Sequence, residues 1–430
     1  MDALYRRKNV LSWAFYDWAN SAFATTVMAG FFPAFFQKYW SVGVDPTVST
    51  SRLGFANGVA GFVVALLAPI LGTIADRSSR RKRFLMIWTL VGVLCTAALY
   101  FIQRGDWLGA FWLFVGGTVG FSAACVFYDA LLLDVAAPAE LDRVSAYGYA
   151  LGYLGGGLLF AFNVLLTLKP QWFGLTDLSE AIRVSFVSVA VWWALFTLPL
   201  ALNVRERGGG LAQSIVPAVR GGLVELAATL RAVSRYRELM IFLLAYWLYI
   251  DAVNTIIKMA VDYGMALGLP TASLLGALLL TQFVAFPASI FFGSLAARIG
   301  TKRSILIGIA VYIAATVYAF FLKSALEFFA LAAVIGAVQG GVQSLSRSFF
   351  GRLVPPDKGG EFFGFYNMVG KFAAIVGPVL VGVVALTTAS SRLAIVSLVV
   401  LFLAGALLLA IVQAPAQPVS AEHREAKGDQ

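Results

Sequence analysis

The chain has 430 residues, of which 60% are hydrophobic and only 13% are charged. A soluble domain is typically about 45–50% apolar and about 25% charged, so this composition predicts an integral membrane protein. The net charge of +10 does not indicate a nucleic-acid-binding protein, because the basic residues stand between long apolar runs. Two cysteines and one histidine, His423 in a polar tail, are too few for a disulfide framework or a metal site.

The apolar runs form two equal groups along the chain. Twelve runs are long enough for spanning helices, which take about 20 largely apolar residues, and six lie on each side of a polar segment. We predict an all-α membrane protein with a six-helix bundle at 1–203, a cytoplasmic linker at 204–238, a second bundle at 239–413 and a disordered cytoplasmic tail at 414–430. The runs are roughly 11–36, 54–75, 84–102, 109–135, 144–168, 184–203, 239–265, 272–297, 304–322, 327–352, 361–386 and 392–413.

The distribution of basic residues predicts which way the bundle faces. If the helices alternate in direction from a cytoplasmic N-terminus, 23 of the 32 Lys and Arg residues fall on the cytoplasmic side and 7 fall outside. Short loops that are rich in Lys and Arg stay in the cytoplasm. We therefore predict that both termini are cytoplasmic and that the first run is an uncleaved helix rather than a signal peptide.

The first run carries polar residues at helical spacing on one face. Asp17 and Asn20 share that face with Trp13. A charged side chain at the centre of a spanning helix costs about 2.5–3.5 kcal/mol on insertion scales, so such a face points into the bundle or a wet cavity. Asp17 stands about 9 Å beyond Leu11 along the helix axis. It belongs either to a cytoplasmic gate or to a ligand site.

Two short basic loops stand at corresponding places in the two groups of six. The loop after the second run contains Gly72, Asp76, Arg77, Arg80 and Arg81, and the loop after the eighth run contains Gly293, Arg298, Gly300, Lys302 and Arg303. A single basic loop is only a topology signal. Two loops with similar spacing indicate a duplicated bundle.

These loops resemble the paired motifs of the major facilitator superfamily. Gly-x-x-Ala-Asp-Arg-x-x-Arg-Arg-Lys is similar to its motif between helices 2 and 3, and Gly-x-Leu-Ala-x-Arg-x-Gly-x-Lys-Arg is similar to the counterpart between helices 8 and 9. The first copy has Ser79 where the family usually has glycine, and the second has Ala297 in place of the acid. The resemblance implies two pseudo-symmetric six-helix halves, with Gly72 packed against helix 11 and Asp76 facing the start of that helix.

Ionisable and amide side chains also occur inside the later runs. As a set, together with those of helix 1, they predict a polar cavity, although any one pair has the alternative of an interhelical bond that only holds the bundle together. Lys371 lies about 15 Å along helix 11 from Glu361, where it forms either a permanent salt bridge or an exchangeable contact with a substrate carboxylate. Asp17, Asp129 and Asp251 are candidates for proton coupling, with Asp251 first. The set is Asp129 on helix 4, Asp251 and Asn254 on helix 7, Gln343 and Arg347 on helix 10, and Asn367 and Lys371 on helix 11.

Longer stretches resemble the vacuolar amino-acid effluxer family, which has bacterial relatives within the same superfamily. Helix 1 carries the first-helix signature, and helix 7 carries a similar segment with Ala252 where glycine is expected. The stretches are Tyr16-Asp17-Trp18-Ala19-Asn20-Ser21-Ala22-Phe23, Leu248-Tyr249-Ile250-Asp251-Ala252-Val253, Gln343-Ser344-Leu345-Ser346-Arg347-Ser348, Glu361-Phe362-Phe363-Gly364 and Gly370-Lys371-Phe372. For the fungal members the resemblance implies export of amino acids from a storage compartment, and a substrate does not transfer with a fold.

We therefore expect a secondary transporter that moves a small polar or zwitterionic, amino-acid-like solute by alternating access, driven by protons or by the solute's own gradient. The alternative is a lipid or lysolipid transporter of the same fold with a lateral opening; a structural or receptor-like subunit would lack the paired loops. The sequence has no Walker-type loop, Ser–His–acid set or zinc-ligand pattern, so we predict no enzyme activity, cofactor or metal. We expect a monomer in a bacterial inner membrane, in contact with lipid and solute and not with nucleic acid.

Overall fold

Helices account for nearly the whole of the described chain. The computed structural model describes residues 2–44, 46–77, 81–206, 236–355, 358–373, 376–388 and 390–413, without the side chains of a few helical residues, among them 72–77, 262, 361 and 371. No β-strand occurs within those ranges. Nine helices among the described residues are long and apolar enough to cross a membrane. The all-α membrane fold predicted from composition is confirmed.

The first half of the chain follows the first six predicted runs. Its helices are α1 (Asp2–Ala22), α2 (Pro46–Arg77), α3 (Arg81–Ala98), α4 (Trp107–Val135), α5 (Leu141–Leu168) and α6 (Leu178–Asn203). The run predicted at 11–36 is not one uniform α-helix, because π-helical turns at Phe23–Phe31 and Phe36–Trp40 follow α1. Aromatic side chains pack around these turns, and Phe32, between the two π-helical segments, stacks on Phe114 with ring centroids 4.2 Å apart.

The second half follows the last six runs, and the eleventh and twelfth runs are each divided into two helices. Its helices are α7 (Arg237–Ala266), α8 (Thr271–Ile299), α9 (Thr301–Ala319), α10 (Ala325–Leu353), α11a (Gly359–Phe372), α11b (Val376–Thr388), α12a (Ser391–Val396) and α12b (Leu398–Ile411). The run predicted at 361–386 is therefore two helices rather than one. Pro378 explains the interruption, because proline has no N–H to donate and its ring clashes with the carbonyl four residues earlier. Proline is tolerated in the first turn of a helix, where α11b places it.

The basic loops lie at one end of the bundle, which we call the motif end. Each loop fastens a later helix of its own half by a lysine. Lys82 Nζ donates to Val204 O just beyond α6 at 3.0 Å, and Lys302 Nζ donates to Ala410 O and Val412 O at the end of α12b, both at 2.7 Å. A lysine at the C-terminal end of a helix satisfies carbonyls that have no partner within the helix. The two halves thus use the same anchor.

The second basic loop is short because α8 and α9 are separated by a single glycine. Gly300 has a φ of +93°, in the region that favours glycine, and it ends α8 before Thr301 begins α9. Gly293 permits a close approach between the halves, since a Cβ there would lie 2.7 Å from the Cβ of Ala146 on α5. Arg298 and Arg303 are exposed at this end.

The halves are joined along helix pairs that run side by side. Helix α5 packs against α8 and α10, and α2 packs against α11a. The latter packing agrees with the expected proximity of the Gly72 region to helix 11, although the side chains of Asp76 and Arg77 and the whole of Arg80 lie outside the described residues. Most of the linker predicted at 204–238 and the tail at 414–430 also lie outside them.

Candidate functional site

A buried cluster of charges joins the two halves. Arg347 on α10 of the second half directs Nη1 to Asp129 Oδ1 on α4 at 3.1 Å and to Asp17 Oδ2 on α1 at 3.4 Å. Only 2% of Arg347 is exposed. Removing each charge from water costs free energy. A buried ion pair is therefore stable only when its geometry is good and further hydrogen bonds satisfy the remaining donors and acceptors. Sequence analysis named all three residues, and the structure brings them together.

Helix α5 also accepts hydrogen bonds from Arg347, whose Nη2 in addition donates to Asp17 Oδ2 at 3.4 Å. The Nε of Arg347 donates to Ser145 Oγ at 2.9 Å, and its Nη2 donates to Ser145 O at 3.0 Å. The guanidinium approaches α5 closely because Gly148 has no side chain. A Cβ at that position would lie 2.7 Å from Asp17 Oδ2 and 2.9 Å from Arg347 Nη2. We call Arg347, Asp17 and Asp129 the ionic cluster.

Three aromatic rings surround the guanidinium. Its Cζ lies 4.4 Å from the ring centroid of Tyr149, 5.0 Å from that of Trp13 and 5.4 Å from that of Tyr128. Cations within about 6 Å of an aromatic face are attracted by the ring quadrupole. Tyr128 also donates its hydroxyl to Asp17 Oδ2 at 2.8 Å. Sequence analysis placed Trp13 on the polar face of helix 1 and missed both tyrosines.

The second oxygen of Asp129 accepts a hydrogen bond from helix α11a. Asn367 on α11a donates Nδ2 to Asp129 Oδ2 at 2.9 Å and to Phe363 O at 3.0 Å. Asp129 therefore receives hydrogen bonds from α10 and α11a at once. Asp17, Asp129, Arg347 and Asn367, which come from the predicted set, thus lie in one hydrogen-bonded network.

A second layer of inter-half contacts lies nearer the motif end. Asp142 at the start of α5 accepts hydrogen bonds from Arg352 Nη2 at 2.7 Å, from Thr301 Oγ1 at 2.8 Å and from Ser348. Arg352 Nη1 also donates to Thr301 Oγ1 at 2.8 Å. We call this group the rim cluster. Sequence analysis missed it, because Asp142 and Arg352 stand at helix ends, where charged residues are ordinary.

Gln343 and Asn20 lie on the other side of the ionic cluster. Tyr153 on α5 donates its hydroxyl to Gln343 Oε1 at 2.5 Å and accepts from Gln339 Nε2 at 3.2 Å. Asn20 is buried and directs Nδ2 towards the sulfur of Cys125 at 3.8 Å. Hydrogen bonds between the halves thus occur on both sides of the ionic cluster.

Asp251 makes a different kind of contact. It is 1% exposed, and its Oδ2 accepts the backbone N–H of Gly377 in the first turn of α11b at 2.9 Å. Thr255, one turn further along α7, is 3.4 Å from Oδ1. A carboxylate at a helix N-terminus stabilises the free N–H groups and the helix dipole. Asp251 thus holds the first turn of α11b, while Asn254 beside it is half-buried. The side chain of Lys371 lies outside the described residues.

The chain is similar to known proteins over most of its length. The family model "Vacuole effluxer Atg22 like" matches residues 41–139 and 134–421. The chain is also 41% identical over 403 residues to the MFS-type transporter YxiO of Bacillus subtilis (strain 168), an alignment that covers 93% of this chain and 94% of YxiO. The chain belongs to the Atg22-like vacuole effluxer family.

Fungal proteins are more distant relatives of this Atg22-like chain. Autophagy-related protein 22-2 of Emericella nidulans is 29% identical over 293 residues, which cover 61% of this chain and 49% of the fungal protein. The Atg22-like chain thus spans about half the length of that fungal relative. The family resemblance predicted from the helix 1 signature and the paired loops is confirmed.

Solved structures establish the fold of this family member. The proton:xylose symporter XylE superposes with a TM-score of 0.73 at 14% identity, covering 96% of this chain and 97% of XylE. The human organic anion transporter MFSD10 superposes with a TM-score of 0.69 at 18% identity, covering 94% and 99%. At such low identity these likenesses show the major facilitator fold and nothing about substrate.

An apolar groove lies between α7 and α11a of the Atg22-like fold. Its volume is about 330 Å³, and its lining is Met240, Ile241, Leu243, Leu244, Trp247, Phe365 and Val369. None of these residues belongs to the ionic cluster or the rim cluster. Among the described residues no group of three His, Cys, Asp or Glu side chains is placed to hold a metal ion.

Proposed function

We propose that the protein is a secondary transporter that moves a small polar or zwitterionic, amino-acid-like solute by alternating access, coupled to protons. The observation that carries this proposal is the ionic cluster. It is a buried set of opposite charges shared between the two halves of a transporter fold, and the sites of secondary transporters lie between such halves. Ionisable residues inside a membrane bundle are costly, and they commonly line substrate or ion pathways.

The structure corresponds to a state that is closed at the motif end. The ionic cluster and the rim cluster both fasten the halves there. The excess of basic residues in the motif loops supports a cytoplasmic position for this end and for both termini. Opening towards the cytoplasm then requires that Arg347 leave Asp17 and Asp129, and alternating access becomes the making and breaking of these contacts.

Proton coupling follows from what separation leaves behind. Once Arg347 withdraws, two carboxylates remain in a poorly solvated part of the protein. A buried, unpaired carboxylate takes up a proton or a cation, because the isolated charge is too costly there. Asp17 and Asp129 are therefore our first candidates for the coupling residues. Asp251, the first candidate from the sequence, accepts a hydrogen bond from the first turn of α11b and becomes a candidate for positioning that helix.

The chemistry of the cluster supports an amino-acid-like solute over a lipid. Asp17 and Asp129 suit an ammonium group, and Arg347 suits a carboxylate, which its planar guanidinium binds through two hydrogen bonds. The description of the matching family, a vacuole effluxer family, agrees with solute export. A lipid pathway would use an apolar surface such as the groove beside α7 and α11a. That groove has no charged residue in its lining and does not include the ionic cluster.

Reconstitution in liposomes tests this function. Purified protein is reconstituted into liposomes, and the liposomes are loaded with unlabelled amino acids. Uptake of labelled amino acids is then measured with and without an imposed pH gradient. We expect counterflow of at least one amino acid and acceleration by the gradient. Sugars, nucleosides and a fluorescent lysolipid are the comparison substrates. Lysolipid movement without amino-acid counterflow contradicts the proposal, and counterflow insensitive to the gradient contradicts proton coupling.

A further inference from the structure

The first half alone builds a cage around the Arg347 guanidinium. The walls of this cage are the Trp13, Tyr128 and Tyr149 rings, and its charges are Asp17 and Asp129. These five residues belong to α1, α4 and α5. The cation that fills the cage comes from α10 in the second half. We call the five residues the cation cage.

The walls of the cation cage are held by contacts within the first half. Trp13 stacks on Tyr128 with ring centroids 4.4 Å apart and planes 10° from parallel, and Trp13 Nε1 donates to Tyr128 O at 3.0 Å. Tyr128 in turn donates its hydroxyl to Asp17 Oδ2. None of these contacts involves the second half, so the cage can keep its shape after Arg347 leaves.

We propose that the cation cage is a binding site for the ammonium or guanidinium group of the transported solute, and that Arg347 is a tethered competitor that fills it in the state closed at the motif end. The inference rests on the proposed transport function and names the solute's obligatory group. Two carboxylates with three aromatic faces form the kind of site that binds organic cations. The residue that occupies it here is itself an organic cation.

Competition between Arg347 and the solute explains how the halves can separate. A cationic solute replaces the guanidinium charge for charge, so the two carboxylates do not remain unpaired when α10 moves away. A solute without a cation cannot make this replacement. The withdrawn Arg347 then faces the solute with its own donors, and a carboxylate on the same solute satisfies them. A zwitterion thus meets both requirements, and an organic acid meets only one.

Chemical rescue tests the cage directly. Arg347→Ala leaves the cage without its occupant, and methylguanidinium is a soluble replacement for the lost group. We expect methylguanidinium to raise the thermal midpoint of purified Arg347→Ala in a saturable way, whereas methylurea, which has a similar shape and no charge, does not. Wild type should show no saturable response, because its cage is filled.

Two matched variants define where the probe binds. Arg347→Ala/Asp129→Asn removes one carboxylate of the cage, and its half-saturating methylguanidinium concentration should rise about tenfold, the loss of one charge-assisted contact. Arg352→Ala removes a guanidinium from the rim cluster, which has no aromatic cage, and should show no saturable response. If Arg347→Ala does not fold, Arg347→Gln, which keeps most of the side-chain volume, takes its place with a weaker expected response. A folded Arg347→Ala that ignores methylguanidinium, or one that responds no better than the double variant, overturns the proposal.

A second measurement uses the wild-type protein and separates this inference from the transport function. Counterflow is compared for alanine and lysine and for their Nα-acetyl forms, with the lysine side-chain amine also acetylated. These forms keep the carboxylate and lose every cation. We expect transport of the free amino acids and at least a tenfold loss for the acetylated ones. Equal transport of both sets rejects the cation cage and leaves the transporter intact. Rescue of Arg347→Ala without any counterflow supports the cage and rejects the transport function.

Discussion

Helices α4 and α10 occupy equivalent places in the two halves and carry opposite charges. Both have 29 residues, and Asp129 and Arg347 stand at the same position counted from the helix starts. The same holds for Asp134 and Arg352. A duplicated scaffold would place like beside like at its pseudo-twofold interface. With acids on one copy and arginines on the other, the interface attracts instead of repelling.

The two pairs of equivalent positions differ in whether their ion pairs cross the interface between the halves. Asp129 and Arg347 bind each other across the interface at 3.1 Å. Asp134 binds Arg81 of its own half at 3.0 Å, whereas Arg352 reaches across to Asp142 at 2.7 Å. The comparison teaches that the second half supplies the cations of the closed motif end and the first half supplies the acids. Predictions that test this division follow, from the largest expected effect to the smallest.

Reversing the charge of Arg347 should have the largest effect. Arg347→Asp gathers three carboxylates in a buried space, and we expect it to lower the free energy of unfolding by about 3–5 kcal/mol, as for a buried ion pair with one partner removed. Thermal unfolding in detergent, compared with Arg303→Asp at an exposed position, measures it. Asp129→Arg/Arg347→Asp restores one opposite pair and should recover part of the loss. A single variant as stable as its control refutes the division of charge.

Removing the rim arginine should have the next effect, and mainly on opening. Arg352→Gln leaves Asp142 with two hydroxyl donors, at a cost of about 2 kcal/mol for the charge-assisted contact. We expect faster alkylation of a cysteine introduced at the buried Ser344, in a background without Cys95 and Cys125. An unchanged rate would mean that the rim cluster does not fasten the halves. Asp134→Asn, which loses a contact within one half, should leave the rate unchanged.

Adding one methyl group at Gly148 should disturb the ionic cluster without changing any charge. The new Cβ would lie 2.7 Å from Asp17 Oδ2, so Asp17 or Arg347 must move, at a cost of about 1–3 kcal/mol. Gly54→Ala on α2 is the control, because nothing lies within 4 Å of its Cβ position and alanine favours a helix. Equal thermal midpoints for the two variants would show that the cluster tolerates displacement.

The smallest effect concerns Glu206, which lies just beyond α6. Burial raises the pKa of Glu206, and the hydrogen bond that it accepts from the Lys82 backbone N–H acts in the opposite direction. A raised pKa in the folded protein means that the protonated form favours folding, so this contribution is present at low pH. It is lost as the pH rises through the raised value, starting above the ordinary value of about 4.3.

Glu206→Gln should remove that part of the pH dependence. We expect the thermal midpoint of this variant to depend less on pH above about 4.3. The corresponding change in the free energy of unfolding should be less than about 1 kcal/mol, because the group is partly exposed and screened. Glu140→Gln at an exposed loop position is the control. A profile identical to that of wild type would show that Glu206 does not titrate in this range.

The sequence predicted the scaffold well because each element has a local signal. Apolar runs marked the helices, and two basic loops marked the duplication. It also named Asp17, Asp129, Arg347 and Asn367, since charged and amide groups inside apolar runs are conspicuous. Their pairing was not predictable, because it depends on how α1, α4 and α10 cross, and these helices are far apart in the chain.

Other features lacked a conspicuous signal. The rim cluster is formed by charged residues at helix ends, and the cation cage contains tyrosines that resemble ordinary core residues. For the division of helix 11, the only signal in the sequence was Pro378. The role of Lys371 stays a prediction, as do the roles of Asp76, Arg77 and Arg80.

The lysine anchors at the motif end have a mechanical consequence for the covalent link between the halves. Lys82 and Glu206 fix the exit of α6 to α3, and Glu238 at the entry of α7 accepts the N–H of Gln413 beyond α12b at 2.6 Å. The chain between these two fixed points has about 30 residues and could reach about 100 Å if fully drawn out. The covalent link therefore leaves each half from an anchored end. Any motion of the halves relative to each other must first break the side-chain contacts of the ionic cluster and the rim cluster, which bind directly across the interface.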